Sequence, residues 1–505
     1  SGSQSEYARP RAPMLLLAVL LLPASTAALP LSRAALRRYP ARAALRRSPA
    51  RAALRRSPSA TLAPRRSASP VRLQASDGPE QQLDGATIYQ LATLASAAML
   101  VQAAIGAVVP VLPAFASSLG LTATGVGVVV STPSLAKVVL NLPAGRLVDS
   151  RWGRKGPMVL GALVDGCGSL ATAAATSLSS LVPARLAVGA GSSMLATAEQ
   201  AYLMDVVERF PNNTGALLGT VQAVGLLGWA VGPAVGGVLA ERGGAVRLPY
   251  VVIGSVLIGS AGLYALLPET RRARGSADAS PGAARPPPLR TLLADRSQRA
   301  LLASRFGLIV GWAAWLTVVP LRAASVWGAG AADLGLMFSA LTCVGLAAAP
   351  VGGLLADRLG SRRVALGSSA LGALAVMSLP LCRSRASFWA SMAVWDVAES
   401  AYTAAVSALA AEVTPASWRG SANSLLNQVQ DVTFGTMPLA LGLLAARVGQ
   451  GAALLSAAAL MLGSSLAFWR FSRGDAMEPG SEMVRESSGE RRHIRATADG
   501  GSGGV

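Results

Sequence analysis

Two basic loops constrain this chain more than any other feature. PAGRLVDSRWGRKGP, at 143–157, lies between an apolar stretch that starts at Leu121 and another running from Met158 to about Ser177. PVGGLLADRLGSRRVALG, beginning at Pro350, sits between two further apolar stretches, and laying Asp149 on Asp357 places the two loops 208 positions apart. Each flank is long enough to cross roughly 30 Å of hydrocarbon at about 1.5 Å per residue. The connectors are too charged to lie in lipid. Two hairpins built alike describe a duplicated membrane protein.

Composition agrees. Of 505 residues 52% are hydrophobic and 14% charged, too little charge for the surface of a soluble protein of this size. The 53 glycines suit close helix packing in lipid. One histidine and the scattered Cys167, Cys343 and Cys382 suggest neither a disulfide framework nor a metal site, and no cofactor is expected. The net charge of +20 gathers before residue 75 and in short loops beside apolar stretches, which argues for targeting and topology rather than nucleic-acid binding.

Residues 14–30, MLLLAVLLLPASTAALP, form a short signal-like core, followed by the repeats RAALRRYPA, RAALRRSPA and RAALRRSPS. An arginine-rich, acid-poor tract of this kind is transit-like. The pair resembles the bipartite presequences of plastids acquired by secondary endosymbiosis, implying the plastid envelope of an alga; a basic arm touching anionic lipid, in another endomembrane or the plasma membrane, is the alternative. The organisation expected is a presequence and arm at 1–84, a six-helix bundle at 85–268, a polar linker at 269–298, a second bundle at 299–471 and a disordered tail at 472–505. Twelve spans are predicted, at 88–112, 122–148, 157–178, 181–206, 215–240, 248–268, 299–322, 330–356, 363–382, 386–411, 421–446 and 450–471. The fold class is thus an all-α polytopic membrane protein with twelve transmembrane helices in two pseudo-symmetric six-helix bundles. Fifteen basic residues in the loops on one side against six on the other put both termini and both basic loops on the stromal or cytoplasmic side. The sequon Asn212-Asn213-Thr214 falls on that side and is read as an accident.

A second repeat lies inside the helices. Ala198-Glu199-Gln200-Ala201-Tyr202 returns 200 positions later as Ala398-Glu399-Ser400-Ala401-Tyr402, with Arg185 and Arg385 each fourteen residues upstream of the glutamate.

These residues resemble the major facilitator superfamily over about 85–471. Gly145, Asp149, Gly153, Arg154 and Lys155 resemble its signature between the second and third helices, with one residue more than usual before Gly153. Gly353, Asp357, Arg358, Arg362 and Arg363 resemble the counterpart in the second half. Arg185, Gly189 and Gly191 resemble the fourth-helix signature, and Leu267-Pro268-Glu269-Thr270 a common ending of the sixth helix. Gly228, Gly232, Pro233, Gly236 and Gly237 fit the pattern GxxxGPxxGG associated with the family's drug:proton antiporters, such as the multidrug-resistance and tetracycline-efflux branch. The second half has only Gly435-Thr436-Met437-Pro438 at the equivalent place. Read physically, glycines every fourth residue give a flat helix face and Pro233 permits a bend; this is either a packing seam or a hinge that seals one side of a cavity. The two charged loops are expected to latch the halves in one state and release them in another.

Ionisable groups inside apolar stretches face a cavity or a partner, because charge in hydrocarbon is costly. Glu199 is the leading proton-carrier candidate and Asp165 the second, followed by Asp431 and Glu399. Asp165 and Glu199 are expected at similar depth and near each other, with Lys137 or Arg185 as counter-charge. Gln102, Tyr202, Gln222, Asp396, Tyr402, Asn427, Gln428 and Gln430 are the substrate-contact candidates. No arginine cluster is evident, which favours a neutral, zwitterionic or weakly cationic solute over a dense anion.

The function expected is transport of a small organic solute by alternating access in proton-coupled antiport, the chain acting as a monomer in a lipid bilayer. A proton symporter or facilitative uniporter on the same scaffold is the alternative, and a non-transporting receptor or scaffold a third. Enzymatic activity has no support: no Cys/His or metal arrangement is present, nor a water-exposed domain to house one.

Overall fold

The computed structural model describes residues 84–210, 213–242, 246–270, 289–415 and 418–473. Contacts divide the chain at residue 82, and every described residue belongs to the second unit. The presequence, Asn212 of the sequon, 271–288 of the linker and the tail from 474 lie outside them.

Every regular element among the described residues is helical. Twelve are long: α1 Gly85–Ser118, α2 Ala123–Val148, α3 Lys155–Ala174, α4 Leu178–Val207, α5 Thr214–Arg242, α6 Leu248–Leu266, α7 Arg296–Trp327, α8 Ala331–Leu359, α9 Ser361–Ser378, α10 Arg385–Val413, α11 Arg419–Arg447 and α12 Gln450–Ser472. A short turn of helix, Leu289–Ala294, precedes α7. The third apolar stretch stops at Ala174 rather than 178, because Ala175 turns extended and Ser177 already caps α4. The ninth ends at Ser378 and tightens into a 3-10 turn at Leu379–Leu381, which holds Pro380.

Ten of these helices are long and apolar enough to cross a membrane. The two that are not, α4 and α10, carry the repeated Ala-Glu-x-Ala-Tyr, with Arg185 and Glu199 on one and Asp396 and Glu399 on the other. Both start on a capping box, Ser177 with Ser180 and Ser384 with Ser387, in which each serine satisfies an amide the first turn leaves free.

One pattern of pairing occurs twice. In the first half α1 packs on α5 and α6, α2 on α4, and α3 on α4 and α6; in the second α7 packs on α11 and α12, α8 on α10, and α9 on α10 and α12. The halves meet where α2 lies on α11 and α5 on α8. Within each half small residues set the spacing: Gly191 of α4 sits on the backbone of Asp165, and Gly161 of α3 on Leu195. The second half adds an aromatic core in which Trp312 meets Trp315 at 5.2 Å and Trp395 at 5.3 Å between ring centroids.

Candidate functional site

The two contacts between the halves are copies of each other. On one, Gly127 of α2 lies against the carbonyl of Pro438, and Gly442 against Ala123 and Gly127. On the other, Gly335 of α8 lies against the carbonyl of Pro233, and Gly237 against Ala331. Each proline lies inside its helix, and the amide that follows is used across the interface: Leu439 N–H donates to Ser131 Oγ at 3.1 Å, and Ala234 N–H to Ser339 Oγ at 2.9 Å. Glycine one turn before each serine lets the backbones come close enough for that bond. Glu241 Oε1 also accepts from Ala332 N–H at the start of α8, at 2.9 Å. All these contacts lie on the face opposite the two basic loops.

Towards the basic loops the same helices part, α2 and α11 only beyond Asn141, which still bonds Asp431. A Cβ at Gly145, Gly219, Gly353 or Gly420 would meet nothing within 4 Å. Between them a cavity of about 530 Å³ runs from Leu226 and Trp229 of α5 past Trp312 and Arg305 of α7 to Asp396, Glu399 and Ser407 of α10, with Thr342 and Ala349 of α8 and Gln430 and Phe434 of α11 on its walls. Its polar groups are few and placed. Arg305 Nη2 donates to Gln430 Oε1 at 2.6 Å, Thr403 Oγ1 donates to Glu399 Oε1 at 3.0 Å, and the Trp312 indole also bonds Glu399.

A second polar cluster crosses between the halves. Asn141 of α2 donates to Asp431 Oδ2 of α11 at 2.6 Å and accepts from Ser193 of α4 at 2.6 Å. Lys137, one turn from Asn141, acts electrostatically on both Asp165 and Asp431. One cation thus faces a carboxylate from each half.

Several expectations change. Asp165 and Glu199 are not neighbours: Asp165 is level with Gly191 and Gly161 with Leu195, which sets Glu199 eight residues, or about 12 Å, further along α4. Similar depth requires the inner ends of α3 and α4 to line up, whereas α4 runs about two turns past the start of α3. Glu199 faces the Tyr264 hydroxyl of α6 instead. Arg185 acts electrostatically on Asp165, as Lys137 does, and its Nε donates to Val129 O at 3.4 Å, whereas Arg385 pairs with Asp333 at 2.9 Å near the surface.

In this state, with the halves parted at this face, the first basic loop is bonded within its own half. Arg154 bonds Asp149 at 2.8 Å, Asp205 at 3.1 Å and Val148 O at 2.9 Å, all within the first half. Burial works against its charge, yet the bonds to Asp149 and Asp205 outweigh burial and hold the guanidinium above its ordinary range. Glu269, past the end of α6, accepts from the amides of Arg154 and Lys155 at 2.9 and 3.0 Å. Gly153 adopts φ +68° beneath that carboxylate. The second loop repeats the turn, with Gly360 at φ +91°, but not the ion pairs. Ser361 stands where Arg154 would and donates to Glu412 at 2.9 Å, Arg362 donates to Ser472 at 3.0 Å, and Asp357, Arg358 and Arg363 are exposed.

Of the substrate-contact candidates, Asp396 and Gln430 line the cavity. Tyr402 is turned into the core, where it bonds Ser304, and Tyr202 is buried in the first half. Gln102 lies along Gly225 and Gly228, Gln428 is half-buried, and Gln222 and Asn427 are exposed. Gly228, Gly232 and Gly236 face α1, against Met99, Ala103 and Ala107, and the Pro233 ring packs on Gly106 of α1, while the Pro233 carbonyl and Gly237 face the other half. Arg305, Trp312 and Asn141 are additions the sequence reading passed over. Arg305 falls inside the stretch 299–322, and the rule that flags Asp165, a charge within an apolar run, flags it too.

Comparison with known proteins agrees with this architecture. Multidrug resistance protein 2 of Bacillus subtilis is 27% identical over 154 residues, a match covering 30% of this chain and 37% of that relative, well under two thirds of its length. A bacterial homologue of the human lysosomal transporter Spinster, in an inward-facing and occupied conformation, superposes with a TM-score of 0.66 at 14% identity, covering 78% of this chain and 98% of that one. A D-xylose-proton symporter gives 0.63 at 15% identity over 78% and 99%. The Major Facilitator Superfamily model matches residues 94–326 and 301–496. A duplicated helical frame closed at one end beside a cavity with few polar groups, matched along most of its length by that family's model, places this chain in the Major Facilitator Superfamily.

Proposed function

We propose that this chain is a secondary transporter that carries a small organic solute across a membrane by alternating access, as twelve spans in two six-helix bundles. The observation that carries the reading is the mirrored contact of Gly127 and Ser131 with α11 and of Gly335 and Ser339 with α5, which joins the halves on one face and leaves a cavity open towards the other. Two equivalent joints at one end form a pivot about which the halves rock, exposing the cavity alternately.

Protons are the coupling ion in this reading. Asp431 and Asp165 stand ahead of Glu199 as carriers, because they share Lys137 at the seam, where neutralising one carboxylate alters the attraction between halves. Glu399, tied to Thr403 and Trp312, supports the cavity wall. Symport or facilitated uniport comes before antiport: one structural neighbour is titled a D-xylose-proton symporter, while the antiport reading rests on the helix-5 pattern, most of whose glycines serve packing against α1.

In liposomes enclosing a pH dye, a panel of organic solutes should evoke proton movement in the direction of the solute. Opposite movement would restore antiport, and no solute-evoked flux or counterflow for any member would defeat transport itself. Asp431→Asn should abolish the proton signal and Glu199→Gln reduce it less.

Delivery to a plastid envelope, with the termini on the stromal side, rests on residues 14–76 and the loop charges. A fluorescent fusion retaining residues 14 to 80 tests it; plasma-membrane fluorescence would overturn it.

A further inference from the structure

The cavity holds charges of both signs, and they are not equally occupied. Glu399 is bonded by Thr403 and by the Trp312 indole. Asp396, one helical turn away on α10, is 6% exposed and its Oδ2 has no hydrogen-bond partner among the described residues. Across the cavity Arg305 hydrogen-bonds Gln430 through Nη2 and feels the charge of Glu399, while its buried Nε has no hydrogen-bond partner among the described residues. A buried acceptor and a buried donor without partners are costly, and since neither atom exposes surface to the cavity in this state, a ligand meets them only once the side chains turn towards it.

Their spacing follows from the helix register. Tyr402 bonds Ser304, and the Trp395 ring lies on Gly311, so α7 and α10 run antiparallel with Arg305 about five residues from the level of Asp396. That is roughly 7 Å along the axis at 1.5 Å per residue. Between the two groups lie Glu399, held by Thr403 and Trp312, and Ser400, and the facing wall is apolar and aromatic: Trp229 and Trp312 lie 6.1 Å apart, inclined at 59°, with Phe434 and Leu308 beside them. The volume of about 530 Å³ suits a solute of one or two rings.

We propose that the cavity takes an amphoteric solute with a flat ring body, an ammonium at one end for Asp396 and a carboxylate at the other for Arg305. The proposal rests on the transporter reading and narrows its substrate class. An α-amino acid, whose two charges sit on neighbouring atoms, fits the arrangement less well than a solute whose charges stand at opposite ends of a ring. A purely anionic solute leaves Asp396 open, and a purely cationic one leaves Arg305 open.

The test is binding to the purified full chain in detergent, by calorimetry, with four probes: 4-(aminomethyl)benzoate, which carries both charges across a ring; 4-methylbenzylamine and 4-methylbenzoate, which carry one each; and phenylalanine, which carries both side by side. The first should bind at least tenfold more tightly than the other three. Asp396→Asn should lower it to the level of 4-methylbenzoate without weakening that acid, and Arg305→Gln to the level of 4-methylbenzylamine without weakening that amine; such opposite selectivity separates loss of a contact from loss of folding. Equal affinities within threefold, no binding by any probe at millimolar concentration, tighter binding of phenylalanine, or variants that weaken every probe alike would each overturn the proposal. Selective binding without transport would sink the transporter reading and leave this one standing. Proton flux evoked by other solutes, without the selective binding, would do the reverse.

Discussion

Ala234 donates its amide hydrogen to Ser339 Oγ at 2.9 Å, across the line where α5 of one half meets α8 of the other. The same bond, Leu439 to Ser131 at 3.1 Å, recurs where α11 meets α2. Each ties the backbone just beyond a proline to a serine one turn after a close-packed glycine, so the course of one helix and the position of its neighbour are coupled.

Removing either serine hydroxyl leaves an interfacial amide without its acceptor, a loss of about 1 kcal/mol when water can enter as the end opens. Ser131→Ala and Ser339→Ala should each shift the population roughly fivefold toward the state parted at this face, and their effects should add because they lie on separate interfaces. Spin labels on the loops at 119–122 and 328–330 read this as a longer distance; an unchanged distribution in the double variant counts against the coupling.

Bulk at the paired glycines should act more strongly. A Cβ at Gly335 would fall on the carbonyl of Pro233, and one at Gly127 on that of Pro438, both backbone atoms that cannot give way. Gly335→Val or Gly127→Val should hold the halves apart at this face and abolish solute flux in a protein that still folds. Gly353→Ala, with nothing within 4 Å, should leave the state described here undisturbed.

Gly153→Ala should destabilise by about 2 kcal/mol, since it combines a left-handed backbone with a Cβ driven into the Glu269 carboxylate. Gly360→Ala carries a positive φ in open space and should cost less. Thermal unfolding of the two variants in detergent gives the comparison; equal shifts would mean that the Glu269 contact contributes nothing.

Arg154→Lys should recover little of what Arg154→Ala loses, about 1–2 kcal/mol, because one planar group bonds Asp149, Asp205 and a carbonyl at once. Asp149→Asn should matter less than Asp205→Asn, since the Asp149 side chain is 76% exposed and that of Asp205 25%. Melting temperatures of the four variants check the order.

Helix positions were legible because twenty-residue apolar runs separated by charged turns leave little choice, and the repeat was legible because Asp149 and Asp357 or Glu199 and Glu399 match by type and interval. Side-chain partners were not. Nothing in the spacing of Asp165 and Glu199 tells how far α4 slides past α3; that is set by Gly161 and Gly191, each resting on the facing backbone. Nor does GxxxGPxxGG announce two faces. Its counterpart looked incomplete with Gly435 and Pro438 alone, yet the residue that matches Gly237 is Gly442, seven positions beyond Gly435, and it makes the equivalent contact. Arg305 escaped notice because it lies near the start of its helix, close to the arginines of the linker.

That division of faces bears on how the molecule moves. With Gly228, Gly232 and Gly236 seated on the main chain of α1, those two helices form a single stiff strut, backbone against backbone, and any tilt of one drags the other. Thr433, Met437 and Leu441 stand at the corresponding places on α11, so side chains rather than bare backbone fill that face. A frame symmetric at its joint is therefore uneven in its levers: one arm rigid, the other compliant enough to yield around whatever fills the space between them.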